Sequence, residues 1–169
     1  MLCRSDAEYR IGKGEDYDDD ATPLFAAGAA VVGYAGVTAA AAGSKRVFTI
    51  AAVEPKGTAE VAKEPFPAAA LPEGGGLQLK KPGDDGRWQI SAYLWSAPQY
   101  HVKAGDEVTL RFVGLNGSEH PTTIEGYDKS FTLKRGEVTD VSFVADKPGV
   151  FQIICSKHQP TMVSELIVE

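Results

Sequence analysis

The sequence predicts an all-β sandwich or barrel for its C-terminal half, on three observations. Short runs rich in β-branched and aromatic residues recur from Trp88 onward. Val108–Phe112 alternates apolar and polar residues with period two, as a half-buried strand does. The gaps between runs hold turn residues: Ala104-Gly105-Asp106, Lys134-Arg135-Gly136 and Asp146-Lys147-Pro148-Gly149.

Taken in order, the chain has four parts. Residues 1–20 are polar and end in Glu15-Asp-Tyr-Asp-Asp-Asp20, the composition of a solvated, disordered tail. From Ala21 to Ser44 no residue is charged, which is long enough for a bilayer span of ~20 residues. A cleaved signal peptide is the alternative, but the segment before the apolar run is acidic and long, not short and basic. The reading taken for 21–44 is a single transmembrane helix. Ala29 with Gly33, and Gly36 with Ala40, place small residues four apart, a spacing that lets another helix approach closely in lipid. So weakly apolar a span is expected to pack against protein, as the anchor of a subunit in a larger membrane complex.

Residues 45–86 are read as a linker. Val47–Val53 is a helix exit or a short strand. The stretch 54–86 carries Pro55, Pro65, Pro67, Pro72 and Pro82 and the run Gly74-Gly75-Gly76, a composition expected of an extended tether. Residues 87–169 then hold the strands: Trp88–Leu94, Val108–Phe112, Phe131–Leu133, Val138–Val144, Val150–Cys155 and Glu165–Val168.

Composition removes several function classes. A net charge of −6 argues against a nucleic-acid partner, which calls for a basic face. Cys3 and Cys155, placed on opposite sides of the expected span, cannot pair as a disulfide. The chain shows no Ser/His/Asp set and no phosphate loop, so no catalytic residues are assigned and the protein is read as a non-enzyme. The positive-inside rule gives no orientation, because Arg4, Arg10 and Lys13 before the span are balanced by Lys45, Arg46 and Lys56 after it.

The chemistry concentrates near the C-terminus, in Cys155-Ser-Lys-His158-Gln-Pro-Thr-Met162 on a loop between two strand-like runs, with His120 upstream. The chain has only two cysteines, three histidines and two methionines, and four of these seven fall in this set. One thiolate, two imidazoles and a thioether are the ligands of a mononuclear blue-copper site, with His120, Cys155 and His158 in a trigonal plane and Met162 at a weak axial position. Zinc accepts Cys and His, but structural zinc sites are usually closed by Cys and His alone. His101, in Gln99-Tyr-His-Val-Lys103, is not expected to be a ligand.

These residues carry a resemblance. Tyr100–Thr109, Glu119-His120, Val141–Cys155 and Met162–Val168 resemble the cupredoxins, and among them the copper domains of cytochrome oxidase subunit II and nitrous oxide reductase. The resemblance covers about half the chain and implies a Greek-key β-sandwich. Those two families hold a dinuclear copper centre on two cysteines four apart. Here only Cys155 is present and the loop is shorter, so a second bridging thiolate is missing and a mononuclear centre is expected. Pro121 follows His120 and removes one backbone N–H beside the site.

The expected function is a membrane-anchored copper protein carrying electrons outside the cytoplasm (a periplasmic head on a single-pass anchor). Its expected partners are the bilayer through residues 21–44, the subunits of a membrane complex and a redox protein such as a cytochrome. The rival readings are an accessory subunit of a respiratory or photosynthetic complex with a redox-inactive site, and copper storage or delivery. Delivery sites are typically Met-rich, and Met162 is the one methionine apart from Met1.

Overall fold

The computed structural model describes residues 43–169. The strands there, in chain order, are β1 (Lys45–Val53), β2 (Lys56–Glu60), β3 (Leu77–Lys80), β4 (Arg87–Ala92), β5 (Leu94–Trp95), β6 (Gln99–Val102), β7 (Glu107–Gly114), β8 (Glu119–Ile124), β9 (Lys129–Lys134), β10 (Val138–Val144), β11 (Gly149–Cys155) and β12 (Val163–Val168). One three-residue 3₁₀ turn, Ser156–His158, separates β11 from β12.

Two sheets make a sandwich. The first runs β10-β7-β1-β5 and the second β6-β12-β11-β8-β9. Strand alternation turns one face of each sheet inward: Val108, Leu110 and Phe112 are buried on β7, and Ser164, Leu166 and Val168 on β12. Ile50, Leu110 and Phe112 from the first sheet join Ile124, Leu133, Ile153 and Leu166 from the second in one buried cluster. Each such side chain contributes about 1.5–3 kcal/mol by leaving water. The all-β reading of residues 87–169 holds.

The linker reading of 45–86 does not. Lys45 to Ala52 pair residue by residue with Glu107 to Gly114 in a parallel ladder, and Ile50 and Ala52 are fully buried. The sandwich therefore begins with β1, not at residue 87. The apolar run Val47–Val53 is a strand because Phe48, Ile50 and Ala52 alternate inward. Even Ser44 is docked: its amide donates to Asp106 Oδ1 at 2.7 Å, and its carbonyl accepts from the Glu107 amide at 2.9 Å.

Residues 54–92 are not a tether either. They leave the sandwich after β1 and fold into a small sheet, β2-β4-β3, before returning through β5. Trp88 is its anchor. The indole is buried edge-on against Phe66 at 5.8 Å, and its Nε1 donates to the Glu64 carbonyl at 2.8 Å. The strand expected at Trp88–Leu94 thus belongs mostly to this excursion, and only Leu94-Trp95 joins the main sheet.

The acidic tail, Cys3 and residues 21–42 of the expected span lie outside the described residues. Among the described residues, no helix is long and apolar enough to cross a membrane.

Candidate metal centre

Strand register assembles the centre. Alternation on β8 turns His120, Thr122 and Ile124 inward. The β8–β11 ladder pairs Ile124 with Ile153 and Thr122 with Cys155, where β11 ends. His120 lies two residues past that last rung, on the same inward face as Thr122, so its imidazole projects beyond the end of β11. Pro121 also falls past the rung, and its missing N–H costs the β8–β11 ladder nothing.

The chain then turns back on itself. The Cys155 amide donates to the Met162 carbonyl at 3.0 Å, and the Met162 amide donates to the His158 carbonyl at 3.0 Å. The Gln159 side-chain amide caps the Cys155 carbonyl at 3.0 Å. These bonds close Cys155–Met162 into a tight loop and bring His158 over Cys155.

Three donor atoms converge as a result. His120 Nδ1 and His158 Nδ1 are 3.1 Å apart, and Cys155 Sγ lies 3.9 Å from the first and 3.4 Å from the second. All three residues are buried. Met162 is fully buried in the same core cluster as Cys155. His101 is elsewhere, more than half exposed with its Nδ1 3.7 Å from Glu169.

The surroundings prepare these groups to bind a cation. His120 Nε2 donates to the Asn116 carbonyl at 2.7 Å, which puts the proton on that nitrogen and leaves the Nδ1 lone pair facing the centre. Burial lowers the pKa of His120 despite that bond, which favours the charged ring. Burial, and then the neighbouring His120 and Lys157, push His158 down to about 4. Both rings are therefore neutral near pH 7, as ligands must be. Burial pushes the Cys155 thiol up, against the backbone amides of Lys157 and His158 that favour the thiolate. A bound metal ion reverses that balance and takes the thiolate. Two imidazole nitrogens and a sulfur turned toward one point, with no charged partner among them, fit a thiophilic metal.

No protein-family model matches the chain. Two curated proteins do, both nitrous-oxide reductases. That of Ralstonia nicotianae is 40% identical over 90 residues, covering 49% of this chain and 14% of the relative. That of Cupriavidus necator is 40% identical over 68 residues, covering 38% of this chain and 11% of the relative. About half of this chain is thus similar to a part of the nitrous-oxide reductases, and its buried donor set fits copper. The chain spans about one-seventh or less of the curated relatives it matches. Among solved structures, the blue copper protein auracyanin A of Chloroflexus aurantiacus aligns at TM-score 0.38 and 19% identity, over 45% of this chain and 89% of its own.

The candidate centre has supports that spacing alone did not reveal. Asn116 and Gly117 form the turn before β8; a Cβ on Gly117, whose φ is +75°, would sit 2.8 Å from the His120 ring. The Asn-Gly dipeptide was the available signal, since it marks a turn that needs glycine's positive φ. Tyr93 and Trp95 flank the imidazoles. Tyr93 stacks on His158 at 3.9 Å between centroids, and Trp95 lies tilted 6.1 Å from His120. Gly74–Gly76, read from composition as tether, presses on the ligand loop: the Gly76 amide donates to the Gln159 carbonyl at 2.9 Å.

Proposed function

We propose that this domain is a mononuclear copper electron carrier, in which His120, Cys155, His158 and Met162 would hold the metal. The observation that carries the proposal is the convergence of three buried, uncharged donors, two of them with Nδ1 atoms 3.1 Å apart. Copper bound there would supply a one-electron couple, and the Met162 thioether and the apolar surroundings would tune its potential.

The residues' own work is to hold still. His120 is fixed by Asn116, and Cys155 by its place at the last rung of β11. His158 and Met162 are joined by a backbone hydrogen bond. A scaffold with so little freedom keeps its ligand positions through a change of charge, and small rearrangement is what fast electron exchange requires. The burial of all three donors keeps water and small substrates from the metal position, which supports a carrier over an oxidase or reductase.

The wider setting belongs to the same proposal. Residues 21–44 anchor the domain as a single-pass subunit, with the copper domain on the extracytoplasmic (periplasmic) side, and its partners are the other subunits of a membrane complex and a cytochrome-like redox protein. The uncharged run Ala21–Ser44 and the small-residue spacing within it support this reading.

Copper loading of the purified chain tests the core claim. The expected result is one copper per chain and an intense blue sulfur-to-copper band that Cys155→Ser abolishes. A folded chain that takes up no copper overturns the carrier and leaves the accessory-subunit reading. Fractionation of the native source tests the setting: co-purification with large membrane subunits is expected, and recovery as a free soluble protein overturns the anchor.

A further inference from the structure

We propose that Tyr93 is the positioning residue of the centre, and that the excursion carrying it closes the site to outside ligands. The proposal rests on the copper reading above and concerns what holds His158 in place. The torsion that turns an imidazole about its Cβ–Cγ bond is broad and roughly two-fold, so backbone position alone does not orient the ring. A face-on neighbour does. Tyr93 stacks on His158 with centroids 3.9 Å apart and planes 25° apart, and meets His120 edge-on at 6.0 Å.

Tyr93 is itself held on three sides. Its amide donates to the Gly76 carbonyl at 2.8 Å. Its carbonyl accepts from Thr161 Oγ1 at 2.8 Å, a bond to the ligand loop itself. Its hydroxyl faces the Glu54 carboxylate, whose charge adds to burial in raising the tyrosine's pKa and which pairs with Lys56 at 3.1 Å. The Glu54 amide in turn donates to Asn116 Oδ1 at 3.0 Å, and the Asn116 carbonyl is the group that orients His120. One chain of contacts, His120–Asn116–Glu54–Tyr93–His158, thus spans both imidazoles from outside the ligand set.

The same excursion covers the ring. His158 is 5% exposed. A Cβ on Gly75 would approach its Cδ2 to 3.6 Å and the Lys157 carbonyl to 2.8 Å, so the glycine run lies as close to the loop as backbone can. Beyond His120 of β8, this cover comes from Gly75 and Tyr93.

The test compares copper-loaded wild type, Tyr93→Phe and Tyr93→Leu in the full chain. Wild-type loading and colour report on the copper reading; differences among the variants report on this one. Tyr93→Leu is expected to change the ratio of the two sulfur-to-copper bands and the copper hyperfine splitting. It is also expected to raise the affinity for added azide at least ~tenfold over wild type, the equivalent of 1.4 kcal/mol. Tyr93→Phe keeps the ring and is expected to recover the wild-type spectrum and azide response. A Tyr93→Leu protein with wild-type bands and no gain in azide binding overturns the proposal. A measurement on wild type alone carries the same weight if that variant does not fold: ring-to-ring nuclear Overhauser contacts between Tyr93 and His158 must be present in both the metal-free and the Cu(I) protein. Their absence from either state overturns the idea that the ring is set in advance.

Discussion

Two short stretches meet at the candidate metal centre, and only one of them carries proposed ligands. Cys155–Met162 holds a thiol, an imidazole and a thioether within eight residues. Gly74–Gly76 offers no side chain at all and packs against the same loop through backbone contacts. The first has a chemistry that the residue types announce. The second has a purpose that follows from what it lacks, because a Cβ at any of its three positions would run into the loop backbone. The comparison teaches that a copper site has a chemical half and a steric half, and that they leave different traces in a sequence.

The sharpest break in the comparison is on the chemical side. Cys155→Ser should abolish the blue band and tight copper binding while leaving the β-sheet circular dichroism of the metal-free chain intact. Its stability cost should stay within about 1–3 kcal/mol, that of a buried hydroxyl, and a lost fold would show that the thiol is structural instead.

Acid is the next largest perturbation. An unfolded histidine titrates near 6.5, whereas His158 in the metal-free fold is lowered to about 4 and His120 is also lowered, chiefly by burial. Between those values the unfolded chain binds more protons than the folded one, so stability must fall as pH drops from about 6.5 toward 4. It is fully present above that window. For His158 alone the loss is about 3 kcal/mol, readable as a denaturation midpoint that moves down with pH. A midpoint unchanged between pH 7 and 4.5 would contradict the burial of both rings. Copper loading should flatten the pH dependence near 6, since the metal competes with those protons.

On the steric side, Gly76→Val probes the ligand-free half. Its new atoms would meet Thr161 Oγ1 and the carbonyls of His158 and Gln159, the latter two at 2.6 and 2.7 Å from the Cβ. Overpacking of that kind costs about 1–3 kcal/mol, and here the strain falls on the ligand loop. The melting temperature should drop and the copper spectrum should shift although no ligand has changed. A lower melting temperature with an unaltered spectrum would reduce Gly74–Gly76 to ordinary packing. The smallest effect is expected from His101→Ala, which removes an exposed ring facing Glu169. Copper content and spectrum should be unchanged and stability should move by less than about 0.5 kcal/mol; any loss of copper would mean the third histidine had been misplaced.

Strands β7, β9, β10, β11 and β12 were readable because each is a short run rich in β-branched and aromatic residues bounded by turn residues, and Val108–Phe112 also alternates with period two; β8, which carries His120, lies outside the expected runs. Val47–Val53 was legible as a possible short strand but not as part of the sandwich, because its partner is β7, some sixty residues on, and a parallel ladder of that span leaves no local turn to mark it. Trp88–Ala92 was recognised as a strand but placed in the wrong sheet, since alternation says which residues face inward and not which core they enter. The His120, Cys155 and His158 cluster was legible from residue type and loop spacing. Tyr93 was not, because its partner His158 is distant in sequence and nothing about a single tyrosine marks it as a neighbour of the metal.

By itself, the sequence determined the β character of the C-terminal half and the chemistry of the centre. Strand alternation and scarce sulfur and imidazole groups are properties of residues in order along a chain. Only the tertiary structure decided that the sandwich starts at Lys45, that a Pro- and Gly-rich stretch folds over the ligand loop, and that Asn116, Glu54 and Tyr93 brace the two imidazoles. Those outcomes depend on close approach between segments far apart in the chain. Van der Waals contact and hydrogen bonding act over a few ångströms of space and take no account of distance along the backbone.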